Sequence, residues 1–214
     1  MKNILLSSFI LLSFFSCNQT KSVNSAQEIL LEQNKEIKME TATLGNGCFW
    51  CTEAVFESLK GVSRAESGYS GGDIKNPTYE QISTGNTGHA EVIQIDFDAN
   101  VISFSEILEV FFATHDPTTL NQQGADRGTQ YRSAIFYHNE TQKEIAKKAI
   151  EAGNESKTWI NPIVTEVTKF ETFYSAGDYH QDYFNRVGEG NSYCTMVIRP
   201  KLDKFKKAFS DKLK

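Results

Sequence analysis

The sequence predicts an α+β fold: a two-layer α/β sandwich around a mixed β-sheet, formed by a single domain spanning residues 39–214. Three observations predict it. Stretches of strand-like apolar alternation are separated by stretches with helical apolar spacing. The two kinds are interleaved without a strict strand–helix–strand rhythm, which favours a mixed sheet. No internal repeat and no second linker divides the chain, so one core is expected.

Taken in order, Thr41–Leu44 reads as a strand, and Gly45-Asn46-Gly47 turns the chain. A helix is predicted from Cys48, with Ala54, Val55, Phe56 and Leu59 on one face and Gly61 as its stop. Val62–Tyr69 reads as a strand that ends in the turn Ser70-Gly71-Gly72. Ala90–Phe97 alternates as a strand should, except at Val92-Ile93. Ser103-x-x-Glu106 is a capping box ahead of Ile107, Leu108, Phe111 and Phe112, so a helix starts there. A polar loop is expected from Asp116 to Gln130, then a strand over Tyr131–Tyr137. Asn139 caps a helix carrying Ile145, Ala146, Ala149 and Ile150, and Ile163–Phe170 reads as the last strand. In the basic stretch Arg199–Lys214, lysines alternate with Leu202, Phe205, Ala208, Phe209 and Leu213, the pattern of an amphipathic helix with a solvated face.

The composition, 39% hydrophobic and 23% charged with a net charge of −5, is that of a globular protein and argues against nucleic-acid binding. Nothing in it calls for more than a monomer. Residues 1–16 read as a targeting segment: Lys2 supplies a positive start, and the apolar run Ile4–Phe15 is too short to span a bilayer. Ser16-Cys17 ends it as a bacterial lipoprotein signal ends, with cleavage before Cys17 and lipid attachment at that thiol. Residues 17–38, rich in Asn, Gln, Lys, Ser and Glu, then form a polar tether. The expectation is a membrane-anchored protein of the bacterial cell envelope, periplasmic or associated with the outer membrane.

Of the four cysteines, Cys48, Cys51 and Cys194 remain as thiols, an odd number that suggests working groups rather than structural disulfides. Gly47-Cys48-Phe49-Trp50-Cys51 is the most informative segment. A cysteine at a helix N-terminus is expected to have its thiolate favoured there, and Phe49 and Trp50 supply apolar surface beside it. The C-x-x-C spacing also admits a zinc site or a thioredoxin-like disulfide exchanger. Zinc lacks a second paired element among Cys194 and four scattered histidines, whereas the strand–C-x-x-C–helix order suits the exchanger better.

The segment Gly47-Cys48-Phe49-Trp50 resembles the active-site motif of the A-type peptide methionine sulfoxide reductases. Further segments follow in that family's order: Gly68-Tyr69-Ser70-Gly71-Gly72, Asn76-Pro77-Thr78-Tyr79, Gly85-Asn86-Thr87-Gly88-His89-Ala90-Glu91, His115-Asp116-Pro117, Asp126 to Ser133, and Tyr179-His180-Gln181. The resemblance covers most of residues 44–200. It implies Cys48 as nucleophile, Glu91, Tyr79, Tyr131 and Asp126 around the substrate, and Phe49 and Trp50 holding the S-methyl group. It also implies selectivity for the S epimer of the sulfoxide, in proteins and in free methionine sulfoxide, with thioredoxin or a thioredoxin-like protein as reductant. No metal or bound cofactor is needed.

The chemistry accords with those roles. A sulfoxide oxygen leaves poorly unless protonated, which suits a buried neutral carboxylic acid at Glu91. Tyr79 and Tyr131 can donate hydrogen bonds to the same oxygen, and Asp126 would orient water or backbone near Glu91. Attack by Cys48 leaves a sulfenic acid, which a second thiol condenses to a disulfide. Cys194 is the preferred resolving thiol, on a glycine-rich segment that could swing in, with Cys51 as the alternative.

Overall fold

The computed structural model describes residues 36–214. The targeting segment, Cys17 and most of the tether lie outside the described residues. Among the described residues, no helix is long and apolar enough to cross a membrane.

Six strands build the main sheet: β1 (Met39–Asn46), β2 (Val62–Ser70), β3 (Ala90–Asp98), β6 (Ser133–Tyr137), β7 (Glu166–Lys169) and β8 (Phe173–Ser175). Their order is β7-β6-β1-β3-β2-β8. All neighbours are antiparallel except β6 and β7, so the sheet is mixed, as expected. A two-stranded ribbon, β4 (Gln122–Gln123) and β5 (Asp126–Arg127), interrupts the loop after Asp116. The helices are α1 (Phe49–Glu57), α2 (Tyr79–Ser83), α3 (Phe104–Ala113), α4 (Glu140–Glu155), α5 (Tyr183–Val187) and α6 (Arg199–Ala208).

The main core lies between the sheet and α1, α3 and α6. Leu44 on β1 pairs with Ile93 on β3 and with Ile135 on β6, placing three buried aliphatic side chains in one row. Val55, Phe56, Ile107 and Phe111 from the helices pack into the same cluster. The opposite face has a smaller apolar cluster of Ala90, Val92, Ala134 and Phe136 under Phe170 and Phe173. This accounts for Val92-Ile93: β3 is covered on both faces at that end, so neither side chain needs to be polar.

Local capping sets several boundaries. Both halves of the Ser103/Glu106 capping box form, and the Asn139 side chain accepts the Gln142 N–H. A second capping box, Thr78 with Gln81, opens the short α2.

Several boundaries differ from the sequence prediction. Tyr131 ends a 3-10 turn (Thr129–Tyr131) instead of starting a strand, because its N–H bonds Gly128 C=O and the sheet is joined only from Ser133. The strand expected over Ile163–Phe170 shortens to Glu166–Lys169, where β6 offers it partners. The C-terminal helix stops at Ala208, and Ser210–Lys212 forms a 3-10 turn beyond it. The three-residue edge strand β8 has too short an apolar pattern to be legible in advance.

Candidate active site

The site forms where the end of β1 feeds α1. Gly47 sits at φ +93°, and the Gln123 side chain occupies the space a Cβ would need, so only glycine makes this turn without strain. The turn leaves Cys48 immediately before α1. The Thr52 hydroxyl bonds the Cys48 carbonyl at 3.2 Å and ties the first helical turn together.

Cys48 and Cys51 are nearly solvent-excluded, at 9% and 3% exposure, and their thiols are hydrogen-bonded to each other. The expected lowering of the Cys48 pKa is not what the surroundings produce. The hydrogen bond to Cys51, burial and the Glu91 carboxyl hold Cys48 well above the ordinary thiol range, outweighing the Trp50 N–H that favours its thiolate. Cys51 is the thiol brought down, to about 7, chiefly by the hydrogen bond from Cys48 and further by Lys201 and the Tyr193 hydroxyl. The interaction between the two thiols thus raises Cys48 and lowers Cys51, so of the pair Cys51 is the more easily ionised.

Glu91, at the start of β3, pairs across the sheet with Tyr69 and points to the α1 side. It is 3% exposed, and its Oε2 accepts the Phe49 N–H at 3.1 Å. Burial pushes it up to about 8, against the opposing pull of that hydrogen bond. Near neutral pH it is a protonated acid. Tyr79 opens α2 and Tyr131 ends its 3-10 turn, and both are half-buried. Desolvation and the Glu91 carboxyl raise both hydroxyls, so each is a neutral hydrogen-bond donor. The fold thus brings Cys48, Glu91, Tyr79 and Tyr131 together.

Phe49 is buried, with ring centroids 6.3 Å from Trp50 and 5.8 Å from Tyr69. Trp50 is clamped on two sides. Tyr183 stacks on it at 3.8 Å and 8°, and its indole N–H donates to His180 Nδ1 at 3.1 Å. The His180 ring lies 4.4 Å from Tyr79, closing the apolar wall. His180 and Tyr183 had no role assigned from sequence. His180 lies in the Tyr179-His180-Gln181 segment already noted, and the density of aromatic residues from Tyr179 to Tyr193 is the signal that could have found Tyr183.

The hydrogen bond Asp126 makes in this structure goes to Tyr193, whose hydroxyl donates to Oδ2 at 2.6 Å. Its negative charge is still close enough to help raise Glu91. That bond places the Tyr193 segment over the thiols. Cys194, one residue on, points into the main core at 0% exposure and begins a π-helical turn (Cys194–Ile198). Burial raises its pKa.

Comparison with known proteins agrees with this geometry. Residues 40–213 match the family model of peptide methionine sulfoxide reductase. The chain is 56% identical over 176 residues to peptide methionine sulfoxide reductase MsrA of Saccharolobus solfataricus, covering 82% of this chain and 98% of that one. It is 53% identical over 175 residues to the enzyme of the same name from Trichodesmium erythraeum, covering 82% and 98%. Among solved structures, reduced Mxr1 from Saccharomyces cerevisiae matches with a TM-score of 0.66 at 33% identity, over 74% of this chain and 93% of that one. Methionine sulfoxide reductase A of Corynebacterium diphtheriae also matches with a TM-score of 0.66 at 33% identity, over 69% and 74%. A match along the whole described domain decides against the disulfide exchanger. The chain belongs to the A-type peptide methionine sulfoxide reductase family, oxidoreductases that act on methionine sulfoxide through a catalytic cysteine.

Proposed function

We propose that this enzyme reduces the S epimer of methionine sulfoxide, in proteins and as the free amino acid, with Cys48 as nucleophile and Glu91 as general acid. The observation that carries the assignment is a buried carboxylic acid with a pKa near 8, bonded to the Phe49 N–H beside Cys48 and facing the Tyr79 and Tyr131 hydroxyls. Selectivity for the S epimer rests on family membership.

In the first step Cys48 attacks the sulfoxide sulfur while its proton passes to the Cys51 thiolate. Glu91 protonates the sulfoxide oxygen, and Tyr79 and Tyr131 donate hydrogen bonds to it as charge develops. Phe49 and Trp50 hold the methyl group. The oxygen passes to the Cys48 sulfur, methionine leaves, and Cys48 becomes a sulfenic acid.

For resolution, the geometry moves our preference from Cys194 to Cys51. Cys51 already touches Cys48, whereas Cys194 is buried in the core and would have to be released by movement of the Gly188–Gly190 turn. The Cys51 thiol attacks the sulfenic sulfur, water leaves, and a Cys48–Cys51 disulfide forms. Cys194 then exchanges with that disulfide and carries the oxidation toward a thioredoxin-like reductant. Mass mapping after one equivalent of sulfoxide tests the order. A first-formed disulfide that includes Cys194 would restore the earlier assignment. Incubation with dithiothreitol and the separate S and R epimers of a sulfoxide peptide tests the activity itself; turnover of neither ends this reading.

We also propose that residues 1–16 are removed and that Cys17 carries the lipid that anchors a monomeric enzyme in the bacterial envelope, with 17–38 as tether. Stable anchoring is consistent with two or more acyl chains on that residue. Fatty-acid labelling of wild type, lost in Cys17→Ala, is the expected result. An unlabelled wild type contradicts it.

A further inference from the structure

A cavity of about 670 Å³ opens on the cysteine pair from the side of α3 and α6. Cys48 and Cys51 border it, but Phe49, Trp50, Glu91, Tyr79 and Tyr131 do not. It is therefore a second approach to the sulfurs, separate from the wall that holds the methyl group. Trp159, Phe205 and Phe209 give it apolar sides, and Lys201 and Lys204 project from α6 at its border. These are two of the lysines whose alternation with apolar residues reads in the sequence as a solvated helical face.

Charge at the cavity is unevenly satisfied. Asp126 accepts the Tyr193 hydroxyl, and Asp116 Oδ1 accepts the Thr118 N–H and hydroxyl. Among the described residues, neither Lys201 nor Lys204 is ion-paired with a carboxylate. The volume is that of a small-molecule site. A thiol on the surface of a folded protein cannot touch a sulfur that is 3% exposed without displacing the Tyr193 segment. A small thiol can enter the cavity itself and approach Cys51 along its border.

We propose that this cavity binds a low-molecular-weight thiol bearing carboxylates, which reduces the oxidised cysteine pair directly at Cys51. The inference rests on the reading above, in which a Cys48–Cys51 disulfide forms. The thiolate of the small molecule attacks the Cys51 sulfur, the Cys48–Cys51 bond breaks, and Cys48 leaves as a thiolate that takes up a proton. A second molecule of the thiol attacks the small-molecule sulfur of the mixed disulfide and releases Cys51. Two small thiols are oxidised to their disulfide, their two protons balance the two regenerated thiols, and Lys201 and Lys204 hold the carboxylates.

The test compares glutathione with its diethyl ester, which carries the same thiol but no free carboxylate, as reductants of wild type and of Lys204→Glu and Lys201→Glu. Wild type should show a KM roughly fivefold to tenfold lower for glutathione than for the ester, and each variant should lose most of that preference. Rates with each thiol are taken as a ratio to dithiothreitol-driven turnover, so a general loss of activity cancels. In a parallel experiment, wild type oxidised with one equivalent of sulfoxide and treated with glutathione should carry the mixed disulfide on Cys51. Equal KM values for the two thiols, a preference that survives both substitutions, or glutathione found on Cys48 or on neither cysteine overturns the proposal. Absence of turnover even with dithiothreitol would instead remove the reading on which it rests.

Discussion

The two halves of the active site are built from different material. The side proposed to meet the sulfoxide stands largely on regular structure, with Glu91 on β3 in the middle of the sheet and Cys48, Phe49 and Trp50 at the start of α1. Only Tyr79 and Tyr131 come from a five-residue helix and a 3-10 turn. The side that handles the thiols after reaction is assembled from short turns. Between Asp178 and Ile198 the chain passes through two 3-10 turns, a five-residue helix and a π-helical turn, with Asp182 and Gly188 at positive φ. The contrast teaches that the chemical step asks for fixed donors, whereas recycling asks for a segment that can rearrange.

Cys48→Ser should break the rigid half outright. Turnover of a sulfoxide peptide with dithiothreitol is expected to fall by about 10³-fold or more, since a serine hydroxyl at this position cannot take the oxygen from the sulfoxide. Glu91→Gln keeps the shape and removes the proton, so kcat/KM should drop by about 10²- to 10⁴-fold with little change in KM. The pH dependence has a definite sign. Because Glu91 acts as an acid with a pKa of about 8, wild-type activity through it should decline as pH rises past that value. Its folded pKa lies above the ordinary 4.5, so the folded state holds this proton more tightly than the unfolded state does. Stability should accordingly fall as pH rises from about 4.5 to about 8, and Glu91→Gln should flatten that fall in denaturant titrations.

Smaller effects should separate the recycling half from the chemical one. Cys51→Ser is expected to complete one stoichiometric turnover, leave Cys48 as a sulfenic acid trappable by dimedone, and then stall with thioredoxin. Cys194→Ser should form the Cys48–Cys51 disulfide at the wild-type rate and slow only at its reduction by thioredoxin. Full thioredoxin-driven cycling in that variant would show that Cys51 suffices. The mildest change is Tyr193→Phe, which removes the hydrogen bond to Asp126 and should cost the closed segment about 1–2 kcal/mol. Amide exchange across 183–198 should rise while exchange in β1 and β3 stays unchanged. Uniform exchange changes would mean that the two halves are not independent.

Particular residues show how far sequence reading reached. Ser103 with Glu106 and Asn139 with Gln142 are local pairs, so their helices were legible without any knowledge of the fold. The placement of Cys48 at the head of a helix, the adjacency of Phe49 and Trp50 and the mixed sheet were legible for a similar reason: adjacent residues and periodic patterns carry them. Tyr131 misled because it stands just ahead of the apolar residues of β6, whereas its N–H donates to the Gly128 C=O and closes a turn. Trp50 pairs with His180 across 130 residues and Tyr193 with Asp126 across 67, and no local pattern records such contacts.

What the sequence by itself determined is therefore the set of chemical groups and the order of the elements that carry them, down to Cys48 at the head of a helix. What only the tertiary structure decided is the state of those groups. A helix N-terminus alone would favour a Cys48 thiolate, but the Cys51 thiol, burial and Glu91 outweigh it, and Cys51 becomes the more easily ionised of the two. Glu91 is an acid near neutral pH only because β3 carries it beneath α1 and out of water. Desolvation and through-space charge depend on distances that close only when the chain has folded, so no reading of neighbours along the chain contains them.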